Sequence, residues 1–295
     1  MEPHLSINPV SDVEALFSYP FMVNALEAGT IVAVMAAVVG WLMVVRRESF
    51  AGHTLSLMSF PGAALAALVG WPLVSGYYVF CVGGALAIAV GSEGGALAGG
   101  HSAGNRRARG RRERTQESAA TGAVQAGALA LGFVFLSLYG GVLEDLETLL
   151  FGSFLGIDSG QVLTLGVVAL VVLAGLALAG RPLLLASVDE TGARARGVPV
   201  QALSVAFLVM LGLAVAATAQ ITGALLVFAL LVAPAASAQQ LTARIGLGLA
   251  LSVALALIVT WVGLGLSYFT NLPVGFLITT LAFLVYLAAR VMRRA

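Results

Sequence analysis

Long apolar runs dominate this chain and limit what it can fold into. A hydrocarbon core about 30 Å thick is crossed by a helix of roughly 20 mostly apolar residues. A ruler of that length finds nine stretches: Val23–Val45, Phe50–Val69, Tyr77–Leu97, Ala119–Leu138, Val162–Ala179, Val200–Ala219, Thr222–Ala238, Ile245–Phe269 and Leu272–Ala289. The seventh is short and holds Pro234, which marks it as broken or tilted and leaves eight to ten spans open. Charged residues make up 10% of the chain and apolar ones 60%, whereas a soluble domain carries about 25% charged residues. So few charges cannot cover a water-facing surface. Cys81 is the sole cysteine, which excludes a disulfide scaffold, and the surplus of apolar surface excludes disorder. The expected fold is all-α: one polytopic membrane domain over 23–295, preceded by a tail over 1–22.

Arginine placement gives an independent check, because cytoplasmic loops collect basic residues. With the N-terminus outside, Arg46 and Arg47 follow the first span inside, and Arg106, Arg107, Arg109, Arg111, Arg112 and Arg114 follow the third. Arg181, Arg194 and Arg196 follow the fifth, Arg244 the seventh, and Arg290, Arg293 and Arg294 the ninth. The opposite loops carry Glu2, Asp12, Glu14, Glu144, Asp145, Glu147 and Asp158 and no basic residue. The C-terminus is therefore expected in the cytoplasm of a multi-pass cell-membrane protein. The tail has no basic n-region and is broken by Pro3, Pro9 and Pro20, so it reads as an outside segment with a short turn at Val13–Phe17, not as a secretory signal. The Arg-rich stretch within 99–118 reads as a polar cytoplasmic loop that favours anionic headgroups, and nucleic acid is not expected as a partner.

Ionisable residues at membrane depth are costly and face a cavity or a partner. Three come near: Glu27 early in the first span, His53 at the cytoplasmic end of the second, and Glu93 late in the third. Backbone breaks are expected at Pro61-Gly62 and at Val232-Ala233-Pro234, either lining a path or tuning helix packing. Asp145–Gly156 is apolar but too short to span, and reads as re-entrant or interfacial. On the cytoplasmic side, Ser187–Val198 reads as a short helix. Asp189 and Glu190 suit its first turn, Arg194 and Arg196 its last, and Gly197 can cap it. Such a helix is a docking element or a tidy loop.

All 15 basic residues are Arg, with no Lys. A P-loop ATPase needs the lysine of its G-x-x-x-x-G-K-[S/T] loop and a kinase needs the lysine of its third strand. Any ATP chemistry must come from another chain.

Several blocks together resemble the zinc/manganese-type ABC importer permeases, whose fold is the type II importer permease. Tyr19-Pro20-Phe21-Met22 is similar to the approach to that family's first span, and Arg46–Gly52 with Phe60–Ala66 to its second. Leu149–Gly152 resembles its outside segment, Ala193–Pro199 its cytoplasmic coupling helix, and Leu272–Gly275 the turn into its last span, while Gly223–Ala236 is the strongest block of the resemblance. They occur in the family's order from about Tyr19 to Arg290. The resemblance implies a permease for Zn²⁺, Mn²⁺ or Fe²⁺, paired with a second copy. It also implies cytoplasmic ABC ATPase subunits that bind the ATP, and an extracytoplasmic metal-binding protein. Asp189, Glu190, Ala193, Arg194 and Gly197 would form the ATPase-coupling interface, and no catalytic residue is expected in this chain.

One departure concerns the metal. Many members carry an Asp and a His four residues apart in the second span, on one helical face, a carboxylate–imidazole site suited to such ions. Here the aligned positions are His53 and Leu57, with Met58 beside them. His53 is left as the metal candidate, with a His-only pair across a dimer axis as one way to complete it. Three alternatives stay open: a permease for a metal chelate of siderophore or cobalamin type, a secondary transporter, and an intramembrane enzyme. Secondary transport lacks deep coupling carboxylates, and H-E-x-x-H and G-x-S-x-G are absent.

Overall fold

The computed structural model describes residues 17–98, 106–139, 156–223, 226–270 and 272–293, with side chains outside 91–98 and 106–120. Among the described residues ten helices follow in order: α1 (Pro20–Arg46), α2 (Ser49–Val69), α3 (Leu73–Ala98), α4 (Arg106–Tyr139), α5 (Ser159–Val188), α6 (Glu190–Ala195), α7 (Val200–Thr222), α8 (Val227–Leu241), α9 (Ile245–Thr270) and α10 (Val274–Met292). Eight are long and apolar enough to cross a membrane; α6 and α8 are not.

The central post is α1, 67% buried along its most apolar stretch, against 11% for Thr121–Tyr139 of α4. Its small residues Ala25, Ala28, Gly29, Ala33, Ala36, Ala37 and Gly40 are buried and let neighbouring backbones approach. A Cβ at Gly40 would strike the Leu231 carbonyl of α8, and Gly62 and Gly76 would each strike the other's carbonyl where α2 meets α3. Lipid tails supply no hydrophobic drive between helices, so such contacts and interhelical hydrogen bonds hold the bundle. Ser252 Oγ donates to the Ala37 carbonyl at 3.2 Å, Trp261 Nε1 to Thr30 Oγ1 at 2.9 Å, and Gln239 Nε2 to the Trp41 carbonyl at 3.1 Å. Asn24 Nδ2 donates to the Ile157 carbonyl at 3.1 Å, and Thr54 Oγ1 to Gln125 Oε1 at 3.1 Å. These pairs run α9 antiparallel to α1 and α5 parallel to it. Arg46 meets Ser187 and Ser204, so the end of α1, the end of α5 and the start of α7 share one end of the bundle.

Helix ends follow from local chemistry. Pro20 occupies the first turn of α1, where its missing N–H costs nothing. Asp158 and Gln161 form a reciprocal capping box at α5, with the Gln161 N–H donating to Asp158 Oδ1 at 2.7 Å. Gly70 (φ 77°) ends α2 and Gly223 (φ 75°) follows α7, a region that glycine enters without a Cβ penalty.

Three expectations need correction. Pro61-Gly62 does not interrupt the second span: α2 runs through Pro61, while Ser56 Oγ and Ser59 Oγ bond back to the carbonyls of His53 and Ser56 at 2.7 and 2.6 Å. Pro61 removes the helical donor to the Leu57 carbonyl alone, a loss that a membrane helix packed among neighbours tolerates. The seventh span is broken earlier than expected: α7 ends at Thr222 with Gly223 as its cap, α8 starts after Leu226, and α8 continues through Pro234. The Arg-rich stretch is helical from Arg106, continuous with α4, in keeping with arginine's high helix propensity. The turn at Val13–Phe17, apart from Phe17, and the segment Asp145–Gly156, apart from Gly156, lie outside the described residues.

Candidate metal path and coupling surface

His53 stands one turn into α2, half-buried. Its ring packs edge-on against Phe228 of α8, with centroids 4.8 Å apart at 63°. Nδ1 is buried with no hydrogen-bond partner, an arrangement that costs a buried polar atom free energy unless something else binds it. The break before α8 builds this wall, because it lets a short helix wedge between α1, α2 and α10, with Leu226 against Gly275. The bundle does not bring Met58 to His53. Met58 is buried and turned to α3, where its sulfur lies beside Gly84. Leu57 is half-buried one turn on, and Glu27 is exposed on α1. Among the described residues, no three His, Cys, Asp or Glu side chains gather where a metal ion could sit. Within one copy of the chain, His53 is a single imidazole donor against an aromatic ring.

The second site is α6. Asp189 is its N-cap, with Oδ1 accepting from the Gly192 N–H at 2.9 Å. Glu190 opens the helix and Arg194 closes it, their side chains paired at 2.6 Å across one turn and both largely exposed. The Gly197 N–H donates to the Arg194 carbonyl at 3.0 Å and the Val198 N–H to the Ala193 carbonyl at 3.1 Å, a Schellman ending with Gly197 at φ 77°. Ala193 is fully buried and seats the helix on the bundle. Arg196 is exposed and takes the C-cap position, one residue outside the last turn proposed for it. Between α6 and the first turn of α7, Arg194, Pro199, Val200, Gln201, Ala202 and Val205 line a cleft of about 630 Å³. Exposed charges, a rigidly capped helix and an adjoining cleft are the parts of a docking surface.

Arg46 lies beneath that surface. Residue types alone mark it only as one of several arginines at this end of the bundle, although the Arg46-Arg47-Glu48 corner carried a signal: an acid two residues from an arginine where two spans meet. Arg46 Nε and Nη2 donate to Glu48 Oε1 at 3.0 and 2.8 Å, and the guanidinium lies 4.9 Å from the centre of the Phe207 ring.

A helical bundle of this hydropathy, with eight helices long enough to cross a bilayer, defines a multi-pass membrane protein. The chain belongs to the ABC 3 transport family, which it matches over residues 18–99 and 107–293. It is 30% identical to the manganese transport system membrane protein MntC of Halalkalibacterium halodurans, over 89% of this chain and 84% of that one. It is 29% identical to the chelated iron transport system membrane protein YfeC of Yersinia pestis, over 92% and 86%. The structure of PsaBC from Streptococcus pneumoniae in complex with Fab has a chain that superposes with a TM-score of 0.78 at 26% identity, covering 95% of this chain and 94% of that one.

Proposed function

We propose that this chain is the transmembrane permease of an ATP-driven importer for a divalent transition-metal ion, with Mn²⁺ and Fe²⁺ ahead of Zn²⁺. The observation that carries the reading is the family match, which runs through both α2 and α6. Manganese, iron and chelated iron stand in the names of relatives; zinc rests on the sequence resemblance alone. A metal chelate is the less favoured cargo.

In this reading the Arg46 end faces the cytoplasm, as its basic residues favour, and ATPase subunits dock on Asp189–Gly197. An extracytoplasmic metal-binding protein delivers the ion to the opposite face. A second copy of the permease pairs with this one, and two His53 imidazoles facing each other supply the donors that one copy lacks. Imidazole suits these ions. Closure of the ATPases shifts α6 and tips the bundle between outward- and inward-open arrangements, a rigid-body switch.

The test is uptake of radiolabelled Mn²⁺ by proteoliposomes holding the permease, its ATPase and its binding protein. Uptake should require ATP inside the compartment that α6 faces, and unlabelled Fe²⁺ should compete. Uptake that persists without any ATPase would overturn the reading.

A further inference from the structure

We infer that Arg46 is the positioning residue that delivers motion of α6 to the α1–α2 corner and so to His53; the inference rests on the function proposed above. Its side chain is only 7% exposed. From α1, one guanidinium reaches three other structural elements. Glu48, the residue that caps α2, accepts two of its hydrogen bonds from Nε and Nη2. Ser204 Oγ on α7 accepts from Nη2 at 2.9 Å, and Ser187 Oγ in the last turn of α5 accepts from Nη1 at 3.5 Å. Ser187 in turn donates to the Leu183 carbonyl at 2.6 Å. Phe207 packs against the cation's face.

Ser187 and Ser204 lie on the two stems that carry α6, one before it and one after. Both stems are thus tied to a single side chain on α1, and α6 cannot swing as a loose flap while those bonds hold. A cavity of about 580 Å³ lies between them, lined by Arg46, Glu48, Ser187, Glu190, Val200 and Ser204 among others, so the helix has room to move. On the other side, Glu48 passes the displacement into α2 directly: its carbonyl accepts the Gly52 N–H at 3.1 Å, and His53 is the next residue. Arginine suits this task because its planar fork holds several acceptors at once, where an ammonium would act as a point charge.

The experiment measures ions imported per ATP hydrolysed, in proteoliposomes of the full complex, for wild type, R46M, R46K, the S187A/S204A pair and R290A. In the assembled complex, R46M should keep ATP hydrolysis within twofold of wild type while importing at least tenfold fewer ions per ATP. R46K should recover part of that loss, and R290A, an exposed arginine on α10, should match wild type. A role confined to folding would lower the yield of complex and leave the ratio untouched. If R46M does not assemble, S187A/S204A decides, since it keeps the Arg46–Glu48 pair; its ratio should fall at least threefold. A ratio within twofold of wild type in assembled R46M, or in S187A/S204A, overturns the inference. Wild type that imports without ATP refutes the function itself, and that outcome is read before any variant is compared.

Discussion

Arg47 closes α1 at φ 61°, alone among the described non-glycine residues in the left-handed region, where an L side chain loses roughly 1–2 kcal/mol. The strain is held by two hydrogen bonds, Arg47 N–H to Val44 and Glu48 N–H to Met43, at 3.1 and 3.0 Å. Arg47→Gly should therefore keep or raise the thermal unfolding midpoint in detergent, and Arg47→Val should lower stability by roughly 1–2 kcal/mol; a Val variant as stable as wild type contradicts this. His53 carries the opposite kind of cost. Its buried Nδ1 has no partner, a deficit of about 1–3 kcal/mol for such groups. His53→Leu should raise the unfolding midpoint while cutting Mn²⁺ uptake at least tenfold. A variant that gains stability and keeps uptake would remove His53 from the metal path. Residue type alone singles out His53, because an imidazole stands out in an apolar span. The edge contact with Phe228 does not show in sequence, since it joins helices far apart in the chain and its partner is one apolar residue among many.

At the scale of helices, the seam between α2 and α3 makes the most direct demand. Gly62 and Gly76 face each other so closely that a methyl on either meets the other's backbone, whereas Gly83 on α3 has nothing within 4 Å of its would-be Cβ. Gly62→Ala and Gly76→Ala should each destabilise by about 1–3 kcal/mol, the usual cost of overpacking, and Gly83→Ala should be tolerated; thermal melts of the three side by side decide it. On α6, Asp189→Ala removes the N-cap, worth about 1 kcal/mol. Hydrogen exchange at the Gly192 amide should speed up while the global melt stays put. Most helices are legible from apolar run length, and α6 from its charge order and Gly197. Where breaks fall is not. Pro61 looks like an interruption but α2 runs straight past it in sequence, and the real break after Thr222 sits in residues as apolar as their neighbours. Arg106–Tyr139 shows the same limit, because a polar sequence with good helix propensity looks like a loop to any measure based on hydropathy.

For the molecule as a whole, the arginine pattern predicts which helix ends share a face, and the bundle gathers the ends of α1 and α5 with the start of α7 around Arg46. The four-element junction itself could not be read, because serine, glutamate and phenylalanine spread over three regions carry no common spacing. The expected one-sided distribution also has a practical consequence. Trypsin cuts only after Arg or Lys, and the chain has no Lys, so if its arginines all lie on a single face, as their spacing between the apolar runs predicts, the membrane itself decides whether the protease finds a site. Sealed vesicles that expose the acidic face should leave the chain whole. Inverted vesicles should lose it to cleavage around Arg106–Arg114, with Arg46 spared by its burial. A single digest would then report which way round each molecule was inserted, without tag, label or antibody.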